Sequence, residues 1–267
     1  MRTTHETADL GAAYRRSGWC APPERLTADA VEKLRRTVDR ISAQDRPEIV
    51  YEAGQPVVRA LHGCHRFDEV CERVVRLPLF VDLAETLLGG PVYVYQFKVN
   101  MKQPFEGAAW PWHQDFVFWH REDGMVAPDA VNIAVFLDGV SGDNGPLRVI
   151  PGSHELGIVD GGAADAEPSH DWRRHVAATL EYTVPDEVAE ALAAGSGTES
   201  LTGPAGTVVA FHPNIVHCSS NNASAYRRAV LLITYNLVSN APAAPTRPEF
   251  LVSRDSTPIT RADSNVL

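Results

Sequence analysis

The chain lacks several features that would point to whole classes of protein. None of its apolar stretches approaches the 18 residues or so that a membrane-spanning helix needs. Its four cysteines include no CxxC pair, and its amino-terminal residues have no apolar segment of the kind found in secretion signals, so we expect a protein of the reducing cytoplasm. No long basic run offsets the formal net charge of −10, which argues against nucleic acid and anionic membranes as partners because both would be repelled.

The length of 267 residues allows one large β domain with a substantial core. We predict a single domain that spans the whole chain. It is expected to divide into a mostly helical part at 1–90, a strand-rich core at 91–240 and an extended tail over the surface at 241–267. The first ten residues or so are expected to be frayed. A polar, Gly- and Ala-rich stretch at 155–200 is expected to be an insertion that acts as a lid.

Three segments have helical patterns. Thr27 is predicted to cap a helix whose apolar residues recur every three or four positions from Val31 onward. A second helical region is predicted over 68–88, with an interruption at Pro78. A short helix is predicted over Pro185–Ala194, because proline suits the first helical position.

Residues 91–101 alternate in a way that predicts a strand. The alternation places Gln96, Lys98 and Asn100 together on one face, with Tyr93 and Tyr95 on the other. Several further short segments are rich in valine, isoleucine and phenylalanine and are separated by turn residues. They are Val131–Asp138, Leu147–Ile150, Gly206–His212 and Ala229–Asn236. Many short strands with helices at their flank favour a mainly β fold, a double-stranded β-helix or jelly roll of the cupin type.

One motif stands out as a candidate metal site. His113 and Asp115 are separated by one residue, and His217 follows 102 residues after Asp115. Two imidazoles and one carboxylate can occupy one face of an iron(II) ion and leave three positions open, which is what a ferrous oxygenase needs. The His-x-Asp pair is expected to act from an extended segment, where residues i and i+2 point to the same side.

A pair of arginines follows the second histidine and precedes an apolar strand. The planar guanidinium of Arg228 or Arg227 could bind a carboxylate through two hydrogen bonds. A dicarboxylic cosubstrate could then chelate iron at one end and meet the arginine at the other. From local sequence alone, both arginines could equally be ordinary surface charges.

Longer stretches of the chain carry a family resemblance that covers roughly residues 50–260. They are Tyr95-Gln96-Phe97-Lys98-Val99-Asn100, Trp112-His113-Gln114-Asp115-Phe116, Asn144-Gly145-Pro146-Leu147, Pro151-Gly152-Ser153-His154 and Phe211-His212-Pro213-Asn214 with His217. In these stretches the chain resembles the phytanoyl-CoA hydroxylase superfamily of iron(II)/2-oxoglutarate dioxygenases. Within that superfamily it is most similar to bacterial hydroxylases of ectoine and, more closely, of free aliphatic amino acids such as a leucine 5-hydroxylase.

The resemblance implies a role for each matching residue. It implies iron on His113, Asp115 and His217, and the distal carboxylate of 2-oxoglutarate on Arg228, which stands at the family's spacing from His217 whereas Arg227 does not. Further positions match residues that line the cosubstrate pocket of relatives, namely Gln96, Asn100, Trp110, Asn132 and Ser219. Lys98 is expected to contact the substrate carboxylate. Phe118 and Trp119 are expected to form either an apolar substrate wall or part of the core.

The activity implied is hydroxylation of an unactivated C–H bond in a free aliphatic amino acid or similar small metabolite. The cofactors implied are iron(II), 2-oxoglutarate and O₂, with ascorbate as a reductant in vitro. An amino acid of leucine-like size or modestly larger is expected as substrate, in specialised metabolism such as antibiotic biosynthesis. Three alternatives remain: a larger or carrier-linked substrate, a desaturating or halogenating outcome, and a non-catalytic jelly-roll binding protein. Asp115 argues against halogenation, which needs an open position in place of the carboxylate.

Overall fold

The computed structural model describes residues 4–159, 171–243 and 245–267. Within these ranges the eleven strands all belong to two antiparallel sheets. The strands are β1 (Trp19–Cys20), β2 (Ile49–Tyr51), β3 (Val58–His62), β4 (Val92–Lys102), β5 (Trp110–His113), β6 (Ala130–Phe136), β7 (Leu147–Val149), β8 (Glu199–Leu201), β9 (Val208–Phe211), β10 (His217–Ser219) and β11 (Arg228–Leu237). The larger sheet has the order β1-β9-β6-β11-β4-β3-β2, and the smaller has the order β5-β10-β7-β8.

Helices flank the larger sheet and fill the connections. They are α1 (Thr4–Ser17), α2 (Ala28–Ser42), α3 (Glu69–Val74), α4 (Pro78–Leu88), α5 (Asp115–Asp123) and α6 (Asp186–Ser196). Short 3₁₀ turns lie at Cys64–Arg66, Ser153–Leu156, Trp172–His175 and Val238–Asn240. No helix of the described residues is long and apolar enough to cross a membrane.

The predicted helices form where local signals are strong. The hydroxyl of Thr27 accepts a hydrogen bond from the Ala30 amide and caps α2, as predicted. The region 68–88 divides into α3 and α4, with Pro78 at the start of α4. Pro185 is the N-cap of α6, one position before the predicted place at N1. The prediction of a frayed amino terminus is wrong from Thr4 onward, because α1 occupies those residues.

The apolar core has two main layers around the larger sheet. One face of that sheet packs against α2 and α4 through residues such as Val38, Phe80 and Leu231. The other face packs against the smaller sheet, so that Phe136 and Leu232 share a cluster with Val149 and Leu201. This pairing of two antiparallel sheets is the double-stranded β-helix that the sequence predicted, and the space between the sheets holds the candidate site.

The strict alternation predicted for the first long strand is wrong in its first half. Thr234 of β11 pairs with Gln96, but the next residue, Tyr235, pairs with Val94. Tyr95 is therefore an extra residue, a β-bulge, and it reverses which side the preceding residues face. As a result, Tyr93 and Tyr95 lie in the same apolar cluster as Phe118 and Trp119.

The carboxy-terminal tail is not a purely superficial wrap as predicted. Arg247, Leu251 and Val252 are buried, and Arg247 and Leu251 reach the cavity described below. Part of the predicted lid, residues 160–170, lies outside the described residues. The remainder is partly built into the fold, because β8 pairs with β7 in the smaller sheet.

Candidate active site

The candidate metal-binding residues meet between the two sheets. His217 on β10 is the direct antiparallel partner of His113 on β5, and the centroids of their rings are 4.1 Å apart. Asp115 is the first residue of α5, and its Oδ2 lies 4.0 Å from Nε2 of His217. Ligand atoms of all three residues lie within 4.8 Å of one another, and all three residues are buried.

Both imidazoles are oriented by backbone carbonyl groups. Nδ1 of His113 lies 2.7 Å from the Pro111 carbonyl oxygen, and Nδ1 of His217 lies 2.9 Å from that of Ile215. These contacts put the proton on Nδ1 and leave Nε2 of each ring with a lone pair for a metal. Burial, together with the neighbouring His217, lowers the pKa of His113 to about 3, so the ring is neutral as a metal ligand requires.

Asp115 is kept ionised and is held in place by two polar side chains. Its Oδ1 accepts from Nζ of Lys98 at 3.3 Å, and its Oδ2 accepts from Nδ2 of Asn132 at 2.8 Å. Burial opposes ionisation, but the positive charge of Lys98 and the hydrogen bond that Lys98 donates favour the carboxylate, and the carboxyl pKa lies below its usual range. Thr234 in turn donates to Oδ1 of Asn132 at 2.6 Å and orients the amide.

The donor set fits iron(II). Two neutral imidazole nitrogens and one carboxylate oxygen are the ligands of non-haem ferrous oxygenases, and their placement on one side leaves room for other ligands. Among the residues that the structure describes, no other group of three or more His, Cys, Asp or Glu residues has this spacing.

The segment between the two sheets differs from the extended arrangement expected for the motif. Only His113 lies on a strand, because Asp115 opens α5 after an extended Gln114. The Gln114 side chain is buried and donates to the carbonyls of Gly157 and Asn214, while it accepts from the Val159 amide. The middle residue of the motif therefore fixes the turn that brings Asp115 back towards the histidines.

The two arginines have different surroundings. Arg228 is buried, lines the cavity and donates from Nε and Nη2 to the Gly145 carbonyl. No carboxylate pairs with it among the described residues, and burial beside Arg59 lowers its pKa to about 10. Arg227 points elsewhere and forms ion pairs with Asp138 and Asp39. Of these two arginines, only Arg228 is therefore placed to meet an anionic ligand in the cavity.

Most of the residues predicted to line the cosubstrate pocket do line the cavity. These are Gln96, Asn100, Trp110 and Ser219. Trp110 is held by Arg59, whose guanidinium carbon lies 3.8 Å from the centroid of the ring. Asn132 is placed differently: it is fully buried behind Asp115 and does not line the cavity.

The other predicted substrate contacts, Lys98, Phe118 and Trp119, also line the cavity. The two aromatic residues also belong to an apolar cluster, so they form part of the cavity wall and part of the hydrophobic core. Lys98 lies four residues before Lys102, the strand partner of Arg228. This separation corresponds to about 13 Å along the strand, so the cavity has an Arg228 end and a Lys98 end.

Sequence reasoning missed three polar residues at the Lys98 end. His62, His175 and Arg247 line the cavity there. Arg247 donates from Nε to Asp123 at 3.0 Å and from Nη2 to the other carboxylate oxygen, and Tyr95 also donates to that carboxylate. No local pattern marks these residues, because they come from β3, a short turn and the tail.

Asn132→Ala is expected to weaken iron(II) binding by about 10- to 100-fold, the usual cost of losing a residue that orients a metal ligand. The reason is that Asp115 would lose the donor to Oδ2. The dissociation constant for iron(II), measured anaerobically, tests this. Thr234→Val, which removes only the contact behind Asn132, should have a smaller effect. Equal affinity in the Asn132→Ala and parent proteins would contradict the assigned role.

The chain is similar to several proteins of known function or structure. The family model for phytanoyl-CoA dioxygenase (PhyH) matches residues 14–230. The chain is 65% identical, over 100% of both chains, to an L-proline trans-4-hydroxylase of Streptomyces griseoviridis. It is 34% identical to an ectoine dioxygenase of Bordetella bronchiseptica, over 94% of this chain and 83% of that protein. The crystal structure of EctD from S. alaskensis with 2-oxoglutarate and 5-hydroxyectoine matches with a TM-score of 0.83 and 29% identity, over 100% of this chain and 92% of that one.

Proposed function

The chain belongs to the phytanoyl-CoA dioxygenase family, and from that premise we propose that it hydroxylates the free amino acid L-proline at carbon 4 of the ring. Its general chemistry is that of an iron(II)- and 2-oxoglutarate-dependent dioxygenase that hydroxylates a small metabolite. The observation that carries the proposed substrate is the 65% identity, over both entire chains, to the L-proline trans-4-hydroxylase.

We propose that His113, Asp115 and His217 hold the iron and that Arg228 binds the distal carboxylate of 2-oxoglutarate. When bound, the iron supplies the activation of O₂, which is coupled to oxidative decarboxylation of 2-oxoglutarate to succinate and CO₂. The walls beside Arg228 are apolar, with Phe136, Val230 and Leu232 in the lining. They exclude water around the methylene carbons of the cosubstrate and so strengthen the ion pair at Arg228.

We propose that Gln96, Asn100, Trp110 and Ser219 complete the cosubstrate pocket. Gln96 and Asn100 project from the same face of β4 as Lys98. Oδ1 of Asn100 is buried without a hydrogen-bond partner among the described residues, which makes this side chain available to a ligand or to a bound water.

At the other end of the cavity, we propose that Lys98 and Arg247 bind the substrate carboxylate. A carboxylate taken out of water needs a cationic or hydrogen-bonding partner. Among the described residues, Lys98 and Arg247 are the cations that line this end. The hydrogen bonds from Arg247 to Asp123 use its Nε and Nη2. Phe118, Trp119 and Leu251 then surround the apolar ring of the substrate, which gains by burial.

A cyclic substrate revises the expected shape of the ligand rather than its class. The sequence favoured an aliphatic amino acid of leucine-like size or modestly larger, and proline is a smaller aliphatic amino acid with a closed ring. The ring matters for positioning, because it removes the side-chain rotations that an open chain would lose on binding. The target carbon is then fixed once the carboxylate and the amine are bound.

The substrate proposal is tested with a panel of free amino acids. With iron(II), 2-oxoglutarate and ascorbate, L-proline should gain one oxygen by mass spectrometry and give the trans-4-hydroxy product, with stoichiometric succinate. L-leucine and ectoine, incubated in parallel, should give much less. Loss of two hydrogens from proline would indicate desaturation instead. Strong turnover of leucine or of ectoine with none of proline would overturn the proposed substrate but keep the enzyme class.

We further propose that the chain is one dioxygenase domain that works in the cytoplasm, which suits a ferrous enzyme because a reducing compartment keeps iron in the iron(II) state. The four cysteines support this location, since all of them are free thiols in the structure.

A further inference from the structure

The cavity has more positive than negative groups, and this imbalance leaves the ammonium group of an amino acid without an obvious partner. Its described lining contains the cations Lys98, Arg228 and Arg247 but a single carboxylate, Asp115. Asp115 belongs to the candidate metal site. If the substrate is a free amino acid, as proposed above, its buried ammonium group must donate its hydrogen bonds to neutral acceptors.

His62 is a neutral acceptor at the correct end of the cavity. It is the last residue of β3, and its direct partner across the sheet is Lys98. Its side chain lines the cavity and is only 5% exposed. Nε2 is buried and has no hydrogen-bond partner among the described residues. A buried polar atom without a partner is uncommon in a folded protein and indicates a ligand or a bound water.

The surroundings of His62 keep the imidazole ring neutral. Burial, Lys98 and Arg247 together lower its pKa to about 3. A neutral imidazole has one nitrogen that accepts a hydrogen bond, whereas the imidazolium cation has only donors. The same two cations that prevent protonation of His62 are the groups proposed to hold the substrate carboxylate.

We propose that His62 accepts a hydrogen bond from the substrate ammonium group and thereby selects substrates that carry an amine next to the carboxylate. The spacing suits this role. Side chains directly opposite one another on neighbouring antiparallel strands have Cβ atoms about 4.5–5.5 Å apart. The carboxylate and amine of an α-amino acid are attached to the same carbon, so one can face Lys98 while the other faces His62.

His175 is the competing acceptor, and its surroundings make it less suitable. It lines the same end of the cavity, but its Nε2 lies 3.6 Å from a carboxylate oxygen of Glu122 and 3.5 Å from one of Glu181. Both ring nitrogens of His175 are also buried without a hydrogen-bond partner among the described residues, but the two nearby carboxylates favour a ring that donates a hydrogen bond rather than one that accepts it. His62 has no such neighbour among its described contacts.

The test compares L-proline with cyclopentanecarboxylate, which has CH₂ in place of the ammonium group. Each is titrated anaerobically by calorimetry into the holoenzyme loaded with iron(II) and 2-oxoglutarate, so that binding is measured without turnover. The parent protein should bind proline at least about tenfold more tightly than the analogue, the effect of one buried hydrogen bond from a charged donor. His62→Phe should lose most of that preference, chiefly through weaker binding of proline, and His62→Gln should restore part of it.

Several controls separate this role from a structural one. Because Nε2 of His62 has no hydrogen-bond partner among the described residues, His62→Phe should keep the Tm and the 2-oxoglutarate affinity of the parent. If that variant does not fold, His62→Leu replaces it. Equal weakening of both ligands, or an unchanged preference for proline, would overturn the proposal. So would loss of the preference in His175→Leu alone. If the parent protein binds neither ligand but takes up another small metabolite, the proposed substrate fails instead, and this inference fails with it.

Discussion

Asp115→Ala is expected to bind iron(II) more than about 100-fold more weakly than the parent protein and to give no detectable hydroxylated product. Loss of a group that merely orients a ligand costs about 10- to 100-fold in metal affinity, so loss of the ligand itself should cost more. The two neutral imidazoles of His113 and His217 would remain, without the anionic charge that favours a divalent cation. Anaerobic equilibrium dialysis with iron(II) and mass spectrometry of the product measure the two effects.

Asp129→Ala provides the matched control, because Asp129 is an exposed aspartate just before β6. It should keep both iron binding and activity. Circular dichroism should show that Asp115→Ala is folded, since most of the sheet core lies away from this residue. Activity of Asp115→Ala close to that of the parent protein would show that the proposed ligand set is wrong. The same variants of His113 and His217 should behave like Asp115→Ala.

Arg228→Ala is expected to raise the concentration of 2-oxoglutarate needed for half-maximal activity by a factor of about 30 or more. Removing one partner of a buried, hydrogen-bonded charge pair costs about 2–5 kcal/mol, and 2 kcal/mol corresponds to about 30-fold. The proposed ion pair is buried, and the nearest protein acceptor of Arg228 is a carbonyl group rather than a carboxylate. The measurement is succinate formation as a function of 2-oxoglutarate concentration.

Arg227→Ala is the neighbouring control. Its ion pairs with Asp138 and Asp39 lie partly in solvent, so their loss should lower the free energy of unfolding by about 1 kcal/mol or less and leave the 2-oxoglutarate requirement nearly unchanged. If Arg228→Ala is unstable because the Gly145 carbonyl loses its donors, Arg228→Lys keeps a positive charge and should still show an increased requirement. Equal, small effects of the two alanine variants would mean that Arg228 does not bind the cosubstrate.

Much of the fold and of the candidate site could be predicted from the sequence, because several signals depend on a few neighbouring residues or on residue type alone. Thr27 marks the start of a helix through its own hydroxyl. Two histidines and one aspartate are donor types that fit a ferrous site, so His113, Asp115 and His217 could be proposed as ligands from their residue types. The extended resemblance across the chain indicated the family and hence the pairing of two sheets.

Local pattern failed where one residue changed the register. The bulge at Tyr95 reverses the side of the sheet that the preceding residues of β4 face. The alternation of residues does not reveal this bulge, because aromatic side chains are buried whether or not it is present. The contacts of the site residue Asn132 could likewise not be predicted from its place in the sequence. Its position in the family pattern suggested a cosubstrate contact, but in the structure its amide donates to Asp115, and that contact depends on how the fold brings two distant segments together.

What the sequence by itself determined was the chemistry available: two imidazoles, a carboxylate and an arginine at the family's spacing. What only the tertiary structure decided was which distant side chains share the cavity with them. His62 comes from β3 and Arg247 from the tail, and the residues between them span most of the chain. The physical reason is that spacing along the chain restricts only near neighbours, whereas the pairing of strands and the burial of the tail bring distant groups within hydrogen-bonding range.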